Sequence, residues 1–418
     1  MKSVIPHSEP IRHLYIHIPF CHRRCSYCDF NTYVNMEDRI EAYCEALCHE
    51  LAMLERDYAG RWRDSFAGAG LPARGPLLRS QLKPSVFFGG GTPSMIPLKQ
   101  MEQILQAIDR LIPLEIAEVS LEANPGTVLG RDYLSGLRSI GFNRISMGVQ
   151  SLHDPTLRML GRIHTAQEAF ESYQEARRAG FDNINLDFIF GLPNQTLEQW
   201  RWTLDQITQW GCEHFSLYSL ILEESTPLYA QVTSNRLSVP DDDQTGEMYE
   251  LAMERFAAAG YAQYEISNWA KTTAEPLDRA PYAVPTYACH HNLAYWLNAD
   301  YGAAGAGAHG HIFPQRYADV LRIDDYIATV RKHERPIAET TPLDHDDLCS
   351  ETVFMGLRLN TGLGLEHFRQ RCGQEIDEVY GETISNLIDL GLLERDELAI
   401  RLTPRGRMLG NQVFSHFV

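Results

Sequence analysis

The chain has 418 residues, long enough for two or three domains, and its 44% hydrophobic and 22% charged residues are the balance of a folded globular protein rather than a disordered one. The 55 acidic against 37 basic residues give a formal net charge of -18, which argues against a general binder of nucleic-acid backbones. No run of about 18 apolar residues appears and the first seven residues lack the apolar core of a secretory signal, so the expectation is a cytoplasmic protein whose 9 cysteines are reduced core residues or metal ligands.

From the N-terminus, apolar and β-branched runs alternate with helix-period segments. Strands are expected near 13–18, 85–88, 118–121, 144–147, 184–189 and 215–218, and helices over 37–57, 98–111, 130–139, 165–179 and 196–209. Thr196, with Glu198 and Gln199, opens its helix with a near capping box, while Gly141 and Gly180 fall just past helix ends. Alternating strands and helices imply a parallel sheet with right-handed crossovers. Six such units fit into residues 1–225, too few for a closed eight-fold barrel, so a partial (β/α)6 barrel and an open doubly wound sheet both fit the pattern. Residues 58–83, containing Gly, Ala, Arg and Pro, form a loop insertion.

Over 226–340 the rhythm weakens, with a helix at 243–259, a Pro- and Ala-containing stretch near 270–287 and a Gly/Ala run at 302–308. This part is expected to be an accessory, connecting region. Residues 341–418 form a small separate unit, with helices near 345–358 and 375–390 and a hairpin-like end joining Leu392 and Leu393 to Ile400, Arg401 and Leu402. Helices followed by a two-stranded wing suggest a winged-helix-like module, and its acidic loops argue against DNA binding.

Cys21, Cys25 and Cys28 place three thiols within eight residues, spaced C-x3-C-x2-C, in the loop after the first strand. Three thiolates in one loop make a soft, anionic site suited to zinc or iron–sulfur. A [4Fe–4S] cluster held by three cysteines leaves one iron open to the amino and carboxylate groups of a small molecule. Zinc is the rival, with His22 or His17 completing a Cys3His set. Cys44, Cys48, Cys212, Cys289, Cys349 and Cys372 read as ordinary core or surface thiols.

In β/α architectures chemistry gathers at the C-terminal ends of strands. There the chain places Gly89, Gly90, Gly91, Thr92, Pro93 and Ser94 after strand two, then Glu122, Ala123, Asn124 and Pro125 after strand three. Gln150 follows strand four, Asp187 ends strand five, and Arg162 offers a cation nearby. Asp187 lies within an apolar run, so its carboxylate needs a partner or ligand. With the cysteines these residues describe a site on one rim.

Together they resemble the radical S-adenosylmethionine (SAM) proteins. More narrowly, the segment from Tyr15 to Cys21 and the Gly89–Ser94 motif resemble the oxygen-independent coproporphyrinogen dehydrogenase group, a resemblance running from residue 13 to the C-terminus. It implies a radical SAM partial (β/α)6 barrel, a [4Fe–4S] cluster on Cys21, Cys25 and Cys28, and SAM contacts from Tyr15, Gly91, Thr92, Glu122, Gln150, Arg162, Asp187 and Ser219. It also implies a cluster that, once reduced by an electron donor, cleaves the SAM sulfonium to a deoxyadenosyl radical. Two departures separate this chain from the dehydrogenases: Phe30 stands where they carry a further Cys, and only twenty residues precede Cys21. Both argue against coproporphyrinogen III dehydrogenation, the enzyme alternative.

Instead, His291-Asn292-Leu293-Ala294-Tyr295-Trp296 matches the H-N-x-x-Y-W signature of the HemW-type haem chaperones. That resemblance implies haem as bound cargo at His291, Asn292, Tyr295 and Trp296, and delivery to acceptor proteins such as respiratory cytochromes. Histidine is a common axial ligand and aromatic rings offer flat apolar surface. His290 is a competing ligand, and the structural alternative has His291 bonded to a backbone carbonyl with Tyr295 and Trp296 in a core. Peripheral membrane association and a dimer are both compatible with the sequence.

Overall fold

The computed structural model describes residues 9–62, 75–126, 130–272 and 282–418. Parts of two expected loops, 63–74 and 273–281, and the first eight residues lie outside the described residues. Six strands run parallel in sheet order: β1 (His13–Ile18), β2 (Ser85–Gly90), β3 (Glu118–Ala123), β4 (Arg144–Gln150), β5 (Ile184–Phe190) and β6 (His214–Ser219). Helices cover the sheet, and strands enclosed in this way are apolar along most of their length; β4 is buried from Arg144 through Val149.

The connecting helices follow the expected pattern. The first, Ile40–Asp57, buries Ile40, Tyr43, Leu47, Leu51 and Leu54 along one stripe. Thr165 and Thr196 each accept a hydrogen bond from the third helical amide in a capping box. Gly141 and Gly180 take φ values of 121° and 91° at helix ends. Among the described residues no helix is long and apolar enough to cross a membrane.

Segment 226–340 extends both edges of this sheet. β7 (Tyr261–Glu265) pairs antiparallel with β8 (Asn268–Lys271), which pairs antiparallel with β6. β9 (Tyr301–Ala304) runs parallel to β1, and β10 (His309–Ile312), β11 (Gln315–Asp319) and β12 (Ile337–Pro342) continue as an antiparallel meander. The result is one 12-stranded sheet in which β8 and β9 occupy the free edges of β6 and β1, so the barrel stays open. β9 lies in the Gly/Ala run where no strand was expected. Its short residues let it pack closely: Ala303 and Ala304 are fully buried against the core.

The C-terminal unit runs helix His345–Gly356, β13 (Leu363–Gly364), helices Leu365–Cys372 and Ile376–Asp389, then β14 (Leu393–Arg395) and β15 (Ala399–Leu402). β15 lies between β13 and β14, giving the expected winged-helix-like arrangement. Val353, Phe368, Leu387 and Val413 belong to its own core. Arg371 joins it to the sheet through Asp300, Nη2 to Oδ1 at 2.8 Å.

The turn after β9 is buried against the end of β1. Gly305 N donates to Glu50 Oε2 at 2.9 Å, while Ala306 N donates to Tyr43 Oη at 2.9 Å and that hydroxyl donates to His17 O at 2.8 Å. Gly305 holds φ at 111°, and a Cβ there would stand 2.5 Å from His17 O. Gly305→Ala is therefore expected to lower stability by about 2–4 kcal/mol through backbone strain and steric overlap. A urea unfolding midpoint equal to that of the wild type would contradict this account of the turn.

Candidate functional site

β1 leads directly into the cysteine loop, whose path is set by backbone bonds to three other segments. After β2, Gly91 N donates to Ile18 O at 2.8 Å and Thr92 N to Phe20 O at 2.7 Å. Cys21 N donates to Tyr33 O at 2.9 Å, and Ser26 N to Leu160 O at 2.9 Å. A Cβ on Gly91 would lie 2.5 Å from Phe20 O, so glycine is required for the cysteine loop to approach this closely.

Cys21 is buried, and Cys25 and Cys28 are half-buried. Cys21 Sγ lies 3.5 Å from Thr92 Oγ1, and Arg162 Nη1 donates to Cys25 Sγ at 3.6 Å. Asn124 links these contacts, since its Nδ2 donates to Thr92 Oγ1 at 2.8 Å and its Oδ1 accepts from Arg162 Nη2 at 2.7 Å. Burial pushes the Cys21 thiol up to about 11 and raises that of Cys28 as well. A metal centre bound through thiolates would have to displace these protons, so its binding would be coupled to proton release.

A single zinc ion needs its thiolates about 2.3 Å from one point. Among the described residues, no three His, Cys, Asp or Glu side chains form such a group. His17 uses Nδ1 with Tyr15 Oη and Nε2 with Asn31 O, both at 3.0 Å, and His22 faces Glu37 at 3.8 Å. Neither is poised as the fourth ligand that a zinc site would need. The donor chemistry of three thiols beside Arg162 fits an iron–sulfur cluster with one open iron.

Beside the loop opens a cleft of about 660 Å³, lined among others by Tyr15, Arg24, Phe30, Tyr33, Gly90, Glu122, Tyr295, Tyr301 and His309. Glu122 Oε2 accepts from Gly90 N at 3.1 Å. Burial, and then repulsion from Asp187, push its carboxyl up to about 8 against the pull of that amide. Burial also raises Asp187, although Asn185 Nδ2 at 2.7 Å and Ser146 Oγ at 3.1 Å donate to it. Asp187 is mid-strand, not at the strand end expected from sequence, because β5 continues to pair with β6 as far as Phe190.

Thr92 and Arg162 line a second, smaller cavity with Cys25 and Asn124. Gln150 ends β4 with φ at 70°. Ser219 is exposed at the end of β6 and lines neither cavity. The structure thus gathers Tyr15 and Glu122 on one cleft, and Thr92 and Arg162 beside Cys25. Sequence reasoning missed the linking role of Asn124, whose one signal is its place two residues beyond Glu122. It also missed Asn31, whose Nδ2 donates to Ala306 O at 2.9 Å and to Leu321 O at 3.0 Å.

The H-N-x-x-Y-W motif forms the helix His290–Trp296. His291 is 1% exposed, with Nδ1 bonded to Ser85 Oγ at 2.8 Å and Nε2 to Tyr295 Oη at 2.9 Å. Its ring stacks on Phe87 with centroids 5.3 Å apart, and burial pushes the imidazole down to about 3, so it is neutral. As placed, His291 offers no free nitrogen to an iron, and its partners are side chains rather than a backbone carbonyl. His290 Nδ1 accepts from Lys83 N at 3.2 Å. Asn292 is half-buried, and Trp296 lies under the Arg358 guanidinium at 4.5 Å. Of the four motif residues, Tyr295 alone lines the large cleft.

Residues 77–207 match the Radical SAM superfamily, and residues 343–409 match the HemN C-terminal domain. The coproporphyrinogen III oxidase HemN of Escherichia coli, a radical SAM enzyme of known structure, shares the fold at a TM-score of 0.78 and 23% identity, covering 100% of this chain and 92% of that one. The chain is thus a radical SAM protein by fold and by sequence, which implies a [4Fe–4S] cluster and SAM. Heme chaperone HemW of Bacillus subtilis is 35% identical over 406 residues, 97% of this chain and 98% of that protein. The Radical S-adenosyl methionine domain-containing protein 1 of Danio rerio mitochondria is 33% identical over 410 residues, 95% of this chain and 84% of that protein. With such identity along nearly its whole length, this chain belongs to the HemW family.

The bonds of His291 make it a buttress between β2 and Tyr295. His291→Ala is expected to lower stability by about 2–4 kcal/mol, because it opens a cavity and strips Ser85 and Tyr295 of a buried partner. A denaturation midpoint unchanged from the wild type would refute that role.

Proposed function

We propose that this chain is a haem chaperone that binds haem in the aromatic cleft beside a [4Fe–4S] cluster and SAM, and hands it in the cytoplasm to acceptor proteins such as respiratory cytochromes. The observation that carries the reading is the near full-length match to Heme chaperone HemW at 35% identity. The cleft supports it: Phe30, Tyr33, Tyr295 and Tyr301 offer flat apolar surface to a macrocycle, and Arg24 offers a cation to its carboxylates.

In this reading Cys21, Cys25 and Cys28 hold the cluster, and an electron donor reduces it. SAM takes Tyr15, Gly91, Thr92, Glu122, Gln150, Arg162, Asp187 and Ser219. When bound, the cluster and SAM supply one-electron chemistry that the protein itself lacks. The chain contributes placement: Arg162 and Asn124 fix the cysteine loop against Thr92. Tyr295 forms cleft wall and His291 holds its hydroxyl, while Asn292 and Trp296 complete the signature proposed for haem. The rival is coproporphyrinogen III dehydrogenation. Phe30, 64% exposed and lining the cleft, puts an apolar ring where the dehydrogenases carry a further Cys.

Cluster-loaded protein, kept anaerobic and reduced, is expected to bind haem stoichiometrically and to leave coproporphyrinogen III unconverted, as followed by absorption spectra. Conversion of the porphyrinogen would reverse the reading. In the same assay Cys25→Ala should lack the cluster's visible absorbance, and an unaltered spectrum would reject the ligand assignment.

Glu122 gives a second test. Its carboxyl is raised from an ordinary 4.5 to about 8, so the folded chain carries the extra proton between those values. The contribution of this group to the stability of the free protein therefore falls as pH rises through that window. A cationic ligand must expel the proton, so SAM affinity is expected to rise with pH up to about 8, by at most roughly tenfold per pH unit, and then to level off. Titration calorimetry should show this slope in the wild type and a markedly smaller one in Glu122→Gln; equal slopes would remove Glu122 from the site.

A further inference from the structure

A haem held in the cleft needs an iron ligand, and the signature helix turns its histidines inward. We infer that His309 is the axial ligand of haem bound in this cleft, an inference that rests on the haem-binding reading above. Among the described residues the cleft is lined by two imidazoles, those of His17 and His309. His17 is 5% exposed and has both ring nitrogens bonded. The lining tyrosines are also engaged: Tyr15 with His17, Tyr33 with Leu321 O, Tyr295 with His291 and Tyr301 with Arg316. His309 is exposed, and no hydrogen bond, ion pair or ring contact holds its side chain among the described residues.

Its backbone, by contrast, is fixed. His309 opens β10, paired with Ala318 of β11. The turn before it is closed by Ala308 N donating to Gly305 O at 2.9 Å, and Gly307 N donates to Val320 O at 2.9 Å. Asn31 ties the same turn to the segment that follows the cysteines. Side chains two apart on a strand share a face, so His309 lies on the face of His311, which pairs across the sheet with Tyr301. Tyr301 and Tyr295 meet edge to face with centroids 4.7 Å apart and form one wall of the cleft. An anchored backbone carrying an imidazole into a cleft that Tyr295 and Tyr301 also line suits ligation of an iron held there.

The chemistry is simple donation of a nitrogen lone pair to the haem iron, with no bond broken in the macrocycle and no change of oxidation state. One ligand from the rim leaves the opposite face of the haem open. A cargo held this way can be taken over by a second ligand without first being extracted from an enclosed pocket.

The test uses the full chain, cluster-loaded and anaerobic, titrated with haem. His309→Ala is expected to bind haem roughly tenfold more weakly and to lose the histidine-ligated absorption and EPR signature, with iron, sulfide and unfolding midpoint unchanged. Added imidazole should restore that signature. His309→Cys should move it to a thiolate-ligated one. A wild-type signature that persists in both variants overturns the assignment while leaving the chaperone reading intact. A wild-type chain that takes up no haem overturns both.

Discussion

The two halves of the site depend on one buried turn. Gly305 and Ala306 are sealed against the end of β1, where their amides cannot reach water, and a buried amide without a partner costs about 1–3 kcal/mol. Two side chains of the first helix satisfy them: Glu50 accepts from Gly305 N, and the Tyr43 hydroxyl accepts from Ala306 N while donating to His17 O. Glu50 is itself fully buried, yet it accepts from Tyr326 Oη at 2.6 Å and faces Arg335 at 3.8 Å. Burial, then the nearby Glu50, push the carboxyl of Asp319 well above its ordinary value. The cluster of groups is polar throughout and lies deep in an apolar core. Its function is positional, since it welds the edge strand β9 to the strand that leads into the cysteines.

That weld decides where the cleft can form. β1 passes to β2 on one side and meets β9, which arrives from far along the chain, on the other. The segments leaving their C-terminal ends diverge, and open α/β sheets place ligand crevices where connections part in this way. The cysteine loop leaves β1 on the side of Thr92 and Arg162, while the Gly305–Ala308 turn leaves β9 toward β10. Asn31 spans the gap, with its side chain on Ala306 O and Leu321 O and its own carbonyl on His17. Closing the barrel would have required β6 to reach β1. Extending both edges instead lets one edge supply Tyr301 and His309, and the helix before it Tyr295, to a site shared with the segments that follow β1 and with Glu122 of β3.

Much of this was legible in the residues. The six parallel strands announce themselves through apolar, β-branched runs, and the three clustered cysteines through spacing alone. β9 escaped because Gly302, Ala303 and Ala304 carry almost no hydrophobic period; what makes them a strand is the closeness with which they pack on β1. The triple glycine was visible as a place of close approach, but not that Gly91 is needed for the chain's own Phe20 carbonyl. His291 shows a deeper limit. Its partner Ser85 lies 206 residues away, and only the fold reveals that both ring nitrogens are already taken. Asn31 carries no pattern at all and Asn124 only its place two residues beyond Glu122, since an amide that links two segments looks in sequence like any loop asparagine.

The charge distribution around the cleft also bears on which ligands suit it. Arg162 stands against Cys25 and, with Asn124 and Thr92, makes one side of the site rich in hydrogen-bond donors. Glu122 and Asp187 make the other side acidic, and their mutual repulsion raises the Glu122 carboxyl further than burial alone. A molecule carrying several phosphates would face those carboxyls and raise the cost of ionising them. A molecule that carries both a carboxylate and fixed positive charge would suit both sides, its carboxylate toward Arg162 and its positive charge toward Glu122. SAM, with its carboxylate, ammonium and sulfonium, has that polarity. By the same electrostatics, carboxylates on a ligand of the cleft would be disfavoured beside Glu122 and favoured beside Arg24, which lines the same cleft.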